Sequence, residues 1–267
     1  MDNSTILQRG ARAILAVSTN TVREAIRSKV FGSLLFFGVV MILSSLILGE
    51  MSLHNERRVI FDVMLFMSTL FAVIIAVYSS ITLFYTEIER RTIYTILSKP
   101  IPRWQFLVGK YIGVQALLLL VVVFMLGICV GVVALQGLSI ESNLFYAFLT
   151  LYLQLGITTA LAHLAATVAS PLLAGFVTMG LFISGNLFSQ LRVVKELLAE
   201  NGNPLTALIT VLEYILPNLE SLNLSRELTY QIAIPTGYVA QATLYAVTYT
   251  AIIMLVAILS FERKELS

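Results

Sequence analysis

The chain has 267 residues, 58% of them hydrophobic and 12% charged, with a formal net charge of +2 at pH 7. So small a charge excludes a polyanion-binding surface, and nucleic acid is not an expected partner. The apolar residues gather into runs near the ~20 residues that cross a hydrocarbon core, leaving little chain for a soluble domain. The expectation is an all-α polytopic membrane protein, a single transmembrane domain over residues 1–267.

In chain order, "MDNSTILQRGARAILAV" lacks a basic head, an apolar run and a small-residue cleavage site in succession, so no signal peptide is expected. Residues 11–29 align Leu15, Val22 and Ile26 along a stripe that Val30 continues, with Arg23 and Arg27 elsewhere, which suits an interfacial helix. Six apolar runs follow, at 30–48, 63–84, 111–135, 144–169, 171–191 and 238–261, and are expected to be six transmembrane helices. Pro171 separates the fourth from the fifth as a tight hairpin, since proline suits a first helical turn and ends a preceding one. The stretch 192–236 is net acidic and divided by Pro204, Pro217 and Pro235 into short helices. Within it "LTALITVLEYILP" is too short for a seventh span and contains Glu213, so 192–236 is expected to be extracytoplasmic or re-entrant. The lone Cys129 lies in a run and is expected to be a small packing residue.

Basic residues set the orientation. Six spans with an internal N-terminus put Arg9, Arg12, Arg23, Arg27, Lys29, Arg90, Arg91, Lys99, Arg103, Lys110, Arg263 and Lys264 on one side, 12 of the 17. The other side holds Arg57, Arg58, Arg192, Lys195 and Arg226. The positive-inside rule then places both termini in the cytoplasm.

The segment between the second and third runs is unusually polar: "YTEIERRTIYTILSKPIPRWQFLVGKYIG", residues 85–113. At about 100° per residue, Tyr85, Ile88, Thr92, Ile93, Ile96 and Leu97 share one arc and Glu87, Arg90, Arg91, Thr95 and Ser98 the other. This is an amphipathic helix leaving the second span. Pro100 and Pro102 then force extended backbone at the residues before them and set an elbow, with Trp104 suited to the headgroup level. Glu89 lies in the apolar arc, where a carboxylate needs a partner; Arg23 and Arg27 of the interfacial helix are the candidates.

The succession Glu87, Glu89, Arg91, Thr92, Leu97, Pro100, Arg103, Gly109, Lys110 and Gly113 resembles the cytoplasmic signature of ABC type-2 transporter permeases, which lies between the second and third of six spans. The "RE-x-x-R" of Arg23, Glu24 and Arg27 resembles that family's interfacial elbow helix, and "LPNLESLNL" at 216–224 resembles its sodium-efflux and nitrous-oxide-reductase-maturation branch. Arg91 departs from the pattern, standing where many members have glycine. The resemblance implies that residues 85–110 are a coupling helix seated in a cytoplasmic ABC ATPase subunit. Glu87, Glu89, Arg90, Arg91, Lys99, Pro100, Pro102 and Arg103 would be its coupling residues. It also implies a plasma (inner) membrane location, a second permease chain, identical or related, and ATP and magnesium bound on the partner subunit rather than here. The function expected is the permease subunit of an ATP-driven exporter. Driving an extracytoplasmic partner without transport, and a scaffold unrelated to ABC systems, are the alternatives.

Enzyme signatures are missing. The "GKY" at Gly109 has Trp104 where a phosphate-binding loop needs glycine and Tyr111 where it needs a hydroxyl for magnesium. His54 and His163 are too far apart for a zinc-protease helix, and no "G-x-S-x-G" occurs. No metal site and no catalytic residue are expected. In the third run Gly109, Gly113, Gly127 and Gly131 form two four-residue steps suited to close helix packing or a dimer contact. The fourth run carries Gln154, Thr159, His163 and Thr167 along one face, as glue between helices or the lining of a polar pathway.

Overall fold

A computed structural model describes residues 3–27, 30–51, 56–89, 102–200, 205–235 and 237–263, and every regular element among them is helical. In chain order these are α1 (Asn3–Arg27), α2 (Val30–Met51), α3 (Glu56–Glu89), α4 (Arg103–Leu135), α5 (Ser142–Val168), α6 (Pro171–Asn186), α7 (Phe188–Glu200), α8 (Leu205–Ile215), α9 (Ser225–Thr229) and α10 (Tyr238–Arg263). A single 3-10 turn, Glu220–Leu222, lies between α8 and α9. Among the described residues four helices are long and apolar enough to cross a membrane: Arg57–Thr86, Arg103–Leu135, Ser142–Val168 and Tyr238–Arg263. A bent pair, Pro171–Asn186 with Phe188–Ala199, makes a fifth candidate. The chain is therefore a multi-pass helical membrane protein.

Two of these helices outrun their apolar cores. α3 has 34 residues and α4 has 33. At ~1.5 Å per residue each is about 50 Å long, well beyond a hydrocarbon core of about 30 Å. Hydropathy alone placed their ends at 84 and 111, yet the helices continue to Glu89 and begin at Arg103. The polar segment between them is thus rooted in helix at both ends.

α5 is the hub, packed against α3, α4, α6 and α10. Its apolar window is 72% buried within the chain, against 28% for α10, so α10 is peripheral by comparison. Small residues on α5, including Gly156, Ala160, Ala162 and Ala166, let its neighbours approach. The Thr150, Thr158 and Thr159 hydroxyls donate to carbonyls one turn back in α5 at 3.1, 2.9 and 2.7 Å, so their burial leaves no orphan hydroxyl.

The fifth apolar run departs from expectation. Residues 171–191 were expected to be one span; α6 stops within it at Asn186 and the next helix turns by 71°. The cause lies in the chain that returns after α8. Leu219 donates its N–H to the Gly185 carbonyl at 3.0 Å, and a Cβ on Gly185 would meet the Pro217 carbonyl oxygen at 2.7 Å. The 216–222 backbone therefore lies directly on the end of α6.

That returning chain is bonded into the bundle. The Asn218 N–H donates to the Tyr245 hydroxyl at 2.8 Å, the Tyr249 hydroxyl to the Ile215 carbonyl at 2.6 Å, and the Tyr238 hydroxyl to the Ser221 carbonyl. Gln154 donates to the Asn186 side-chain oxygen at 2.8 Å and to the Leu219 carbonyl at 3.4 Å. Gln154 lies roughly 18 Å along α5 from Ser142, and Tyr245 about 10 Å along α10 from Tyr238. Irregular backbone at such depth survives only where protein groups satisfy it, and these side chains do so. Leu219, Leu222 and Leu224 bury its apolar side.

Beyond it the chain is pinned to the Ser142 end of the bundle. Glu141 accepts from Arg57 and from Gln231, both at 2.7 Å, and Asp62 accepts from the Thr229 hydroxyl at 2.6 Å. The short helix α8, with 11 residues, packs on α7, where Glu213 meets Lys195 at 2.6 Å and Arg192 at 3.9 Å. Eleven residues reach about 16 Å, too little to span.

Tyr245→Phe should remove the acceptor for Asn218 and cost ~1–3 kcal/mol. The purified protein's melting temperature is expected to fall, whereas exposed Gln241→Leu should leave it unchanged.

Candidate functional site

The two roots of the polar segment meet at one end of the bundle, and their geometry is specific. Pro102 precedes α4 in extended conformation, φ −65° and ψ 147°, and its carbonyl accepts from the Gln105 N–H at 3.0 Å. Arg103, next in the chain, donates to the carbonyls of Phe261 and Glu262 at 3.3 Å each. These carbonyls belong to the last described turn of α10, where a cation suits the helix dipole. On the other root, the Tyr85 hydroxyl donates to the Ala166 carbonyl at 3.1 Å and to that of Ala169, closing the end of α5. Each root thus bonds the C-terminal carbonyls of a different helix.

Aromatic rings fill the space between. Phe84 lies 5.8 Å from Phe261 and 6.5 Å from His163, while Phe106 stacks on Phe261 at 6.2 Å and Tyr111 meets His163 edge-on at 6.1 Å. Lys110 is wholly buried here, its ammonium 6.0 Å from the Phe106 ring centre. Trp104 remains exposed on the first turn of α4, as an interfacial anchor would.

The interfacial helix α1 packs onto the same root. A Cβ on Gly109 would meet Val17 Cβ at 2.8 Å, and one on Gly113 would meet Thr21 Cβ at 2.6 Å and the Ser18 carbonyl oxygen at 2.9 Å. Only glycine admits α1 so closely. α1 turns Ser18 and Thr21 inward, their hydroxyls donating to Leu15 and Val17 carbonyls at 3.1 and 2.9 Å. Leu15, on the apolar stripe, lies away from this groove and is 62% exposed. The reason is steric: a glycine groove accepts small side chains and would leave a leucine without room. Gly109 and Gly113 thus pack within the chain. Gly127 and Gly131 face open space, with no described atom within 4 Å of an added Cβ.

Of the other expected site residues, Arg90, Arg91, Lys99 and Pro100 lie outside the described residues, as do the side chains of Glu87, Glu89 and Arg27. Arg23 is exposed on α1. Gln154, Thr159, His163 and Thr167 are buried in the bundle. Thr159 and Thr167 bond carbonyls of α5, and His163 Nδ1 lies 2.8 Å from the Thr159 carbonyl oxygen. Tyr85, Phe261, Ser18 and Thr21 were missed. Only the small-residue spacing of the last two, matching Gly109 and Gly113, could have signalled them.

A family model described as ABC-2 family transporter protein matches residues 10–266. The chain belongs to the ABC-2 transporter family. No curated protein matches it. As an ABC-2 family protein it is a transporter's membrane domain, a role that implies association with an ABC ATPase and a bilayer. The matched region includes most of α1, both roots of the polar segment, the returning chain at 216–222 and all of α10.

Because α1 rests on bare glycine, Gly109→Ala or Gly113→Ala should destabilise this ABC-2 protein by ~1–3 kcal/mol through overpacking. Gly127→Ala and Gly131→Ala should be neutral or stabilising by up to ~1 kcal/mol, since alanine favours a helix. Thermal melts of the four purified variants distinguish the two pairs.

Proposed function

We propose that this chain is the permease subunit of an ATP-driven exporter, with residues 85–110 as the coupling segment that a separate ABC ATPase grips. The observation that carries this reading is the double rooting of that segment. A motor outside the membrane moves buried helices only through a stiff element tied to them. Here α3 enters the segment joined to α5 through Tyr85, and α4 leaves it joined to α10 through Arg103 and to α1 through Gly109 and Gly113. Displacing the segment would therefore move five helices together. Family membership supplies the ATPase partner; ATP and magnesium would bind there.

In this reading α2 and the bent pair complete six spans, both termini are cytoplasmic, and the protein acts in the plasma (inner) membrane as one of two permease chains. Glu87, Arg90, Arg91 and Lys99 would meet the ATPase, Pro100 and Pro102 would hold the elbow angle, and Glu89 would face Arg23 and Arg27. Arg103 takes a different part from the one its sequence position suggests. Its guanidinium already serves α10, so it would transmit force as well as meet the motor.

A second reading has support of its own. The returning chain is bonded to α5, α6 and α10, so motion of those helices would reach α7 and α8 and an extracytoplasmic partner held there. Reconstitution with candidate cargo separates transport from such force transmission.

The test is co-purification with the cognate ATPase followed by its turnover in the complex. Arg90→Glu combined with Arg91→Glu should lower ATPase recovery at least tenfold. Arg103→Ala should retain most of the ATPase yet lose the turnover change that the membrane subunit confers. Full recovery in the double charge reversal, with Pro100→Ala equally harmless, would remove the coupling assignment.

A further inference from the structure

Away from the polar segment, α4, α5 and α10 enclose a groove of about 440 Å³. Its wall is apolar except for Tyr111, Gln115, Tyr152 and Thr250, and no charged side chain lines it. The Tyr111 hydroxyl donates to the Gly156 carbonyl at 3.3 Å and is bonded by Thr250, and the Tyr152 hydroxyl donates to the Gln115 carbonyl at 3.4 Å. The exception is Gln115. Its Nε2 is buried and has no hydrogen-bond partner among the described residues. A donor left unpaired within hydrocarbon is costly, and chains retain one where something else supplies the acceptor.

Depth and rim narrow the occupant. Tyr111 and Gln115 lie roughly 10 and 16 Å along α4 from Trp104, which places Gln115 near mid-bilayer if Trp104 marks the headgroup level. Phospholipid head groups and their esters stay above that depth. Ile112 and Val247, exposed beside the groove, present its mouth sideways to the bilayer. The volume falls within the ~300–1,000 Å³ of small-molecule sites. The absence of charge along the wall, with a single free amide donor, selects a neutral ligand carrying an acceptor.

We propose that the groove between α4, α5 and α10 binds a neutral lipophilic molecule bearing a carbonyl acceptor, which enters laterally from the bilayer and is held by Gln115 Nε2. The aliphatic or aromatic body lies against the apolar wall, and the carbonyl accepts from Gln115 Nε2. This site does not depend on the ATPase-coupling reading.

The experiment uses the full chain in phosphatidylcholine nanodiscs without any ATPase, so its outcome does not bear on coupling. The probes are a decyl-substituted benzoquinone and decylbenzene, which lacks an acceptor, and the readout is equilibrium binding. Saturable quinone binding is expected, at least tenfold weaker in Gln115→Leu and abolished in Ala251→Phe, which fills the groove from its exposed rim. Decylbenzene should show no saturable component. Size-exclusion profiles and melts establish folding; if Gln115→Leu misfolds, the rim variant decides alone. Equal quinone affinity in the folded variants, or equal saturable binding of decylbenzene, overturns the proposal. So does a wild-type chain that binds no quinone while Ala251→Phe breaks a dimer, which would make a second copy the occupant.

Discussion

Backbone carbonyls without a helical partner are the constraint on which this structure turns. Inside the hydrocarbon no water satisfies them, so irregular backbone there needs donors from elsewhere in the chain. Tyr85 serves the end of α5, Arg103 the last described turn of α10, and Tyr238, Tyr249 and Gln154 the carbonyls of Ser221, Ile215 and Leu219. These bonds join elements far apart in sequence. α5 adds small residues and threonines whose hydroxyls bond carbonyls of their own helix.

The same bonds give the molecule a mechanical character. At the Arg103 end, the segment between α3 and α4 is held by α5, α10 and α1 at once. At the other end, the returning chain is held by α5, α6 and α10. α5 and α10 take part in both, which makes them the natural route for any displacement from one end to the other. A groove of about 570 Å³ lies between α3 and α6, walled by Val77, Ile81, Pro171 and Phe176 among others.

Hydropathy made much of this legible. Runs of ~20 apolar residues marked the spanning helices, and Pro171 marked the hairpin before α6. What hydropathy could not register was helix beyond the apolar cores; the amphipathic pattern from Tyr85 supplied that for α3, and nothing did for the start of α4. α3 and α4 run past their apolar cores since Glu87, Arg103 and Lys110 are good helix formers that hydropathy excludes. The bend after Asn186 was hidden because residues 171–191 carry no charge and no proline after Pro171, and its contact, Leu219 on Gly185, lies over 30 residues away. The inward face of α1 was not read at all: the apolar stripe marked the interfacial face, and Ser18 and Thr21 carry no hydropathy signal. The family signature, by contrast, was plain from residue order alone.

The central claim is that the segment between α3 and α4 lies on the motor's side of the membrane, held there by its two roots. The most direct measurement places a cysteine at Ser98 in a Cys129→Ala background, Cys129 itself being buried beside Ser68. A membrane-impermeant thiol reagent is then applied to intact cells and to inverted membrane vesicles. Labelling in the vesicles with protection in intact cells is the predicted result. Labelling of intact cells from outside would contradict the account.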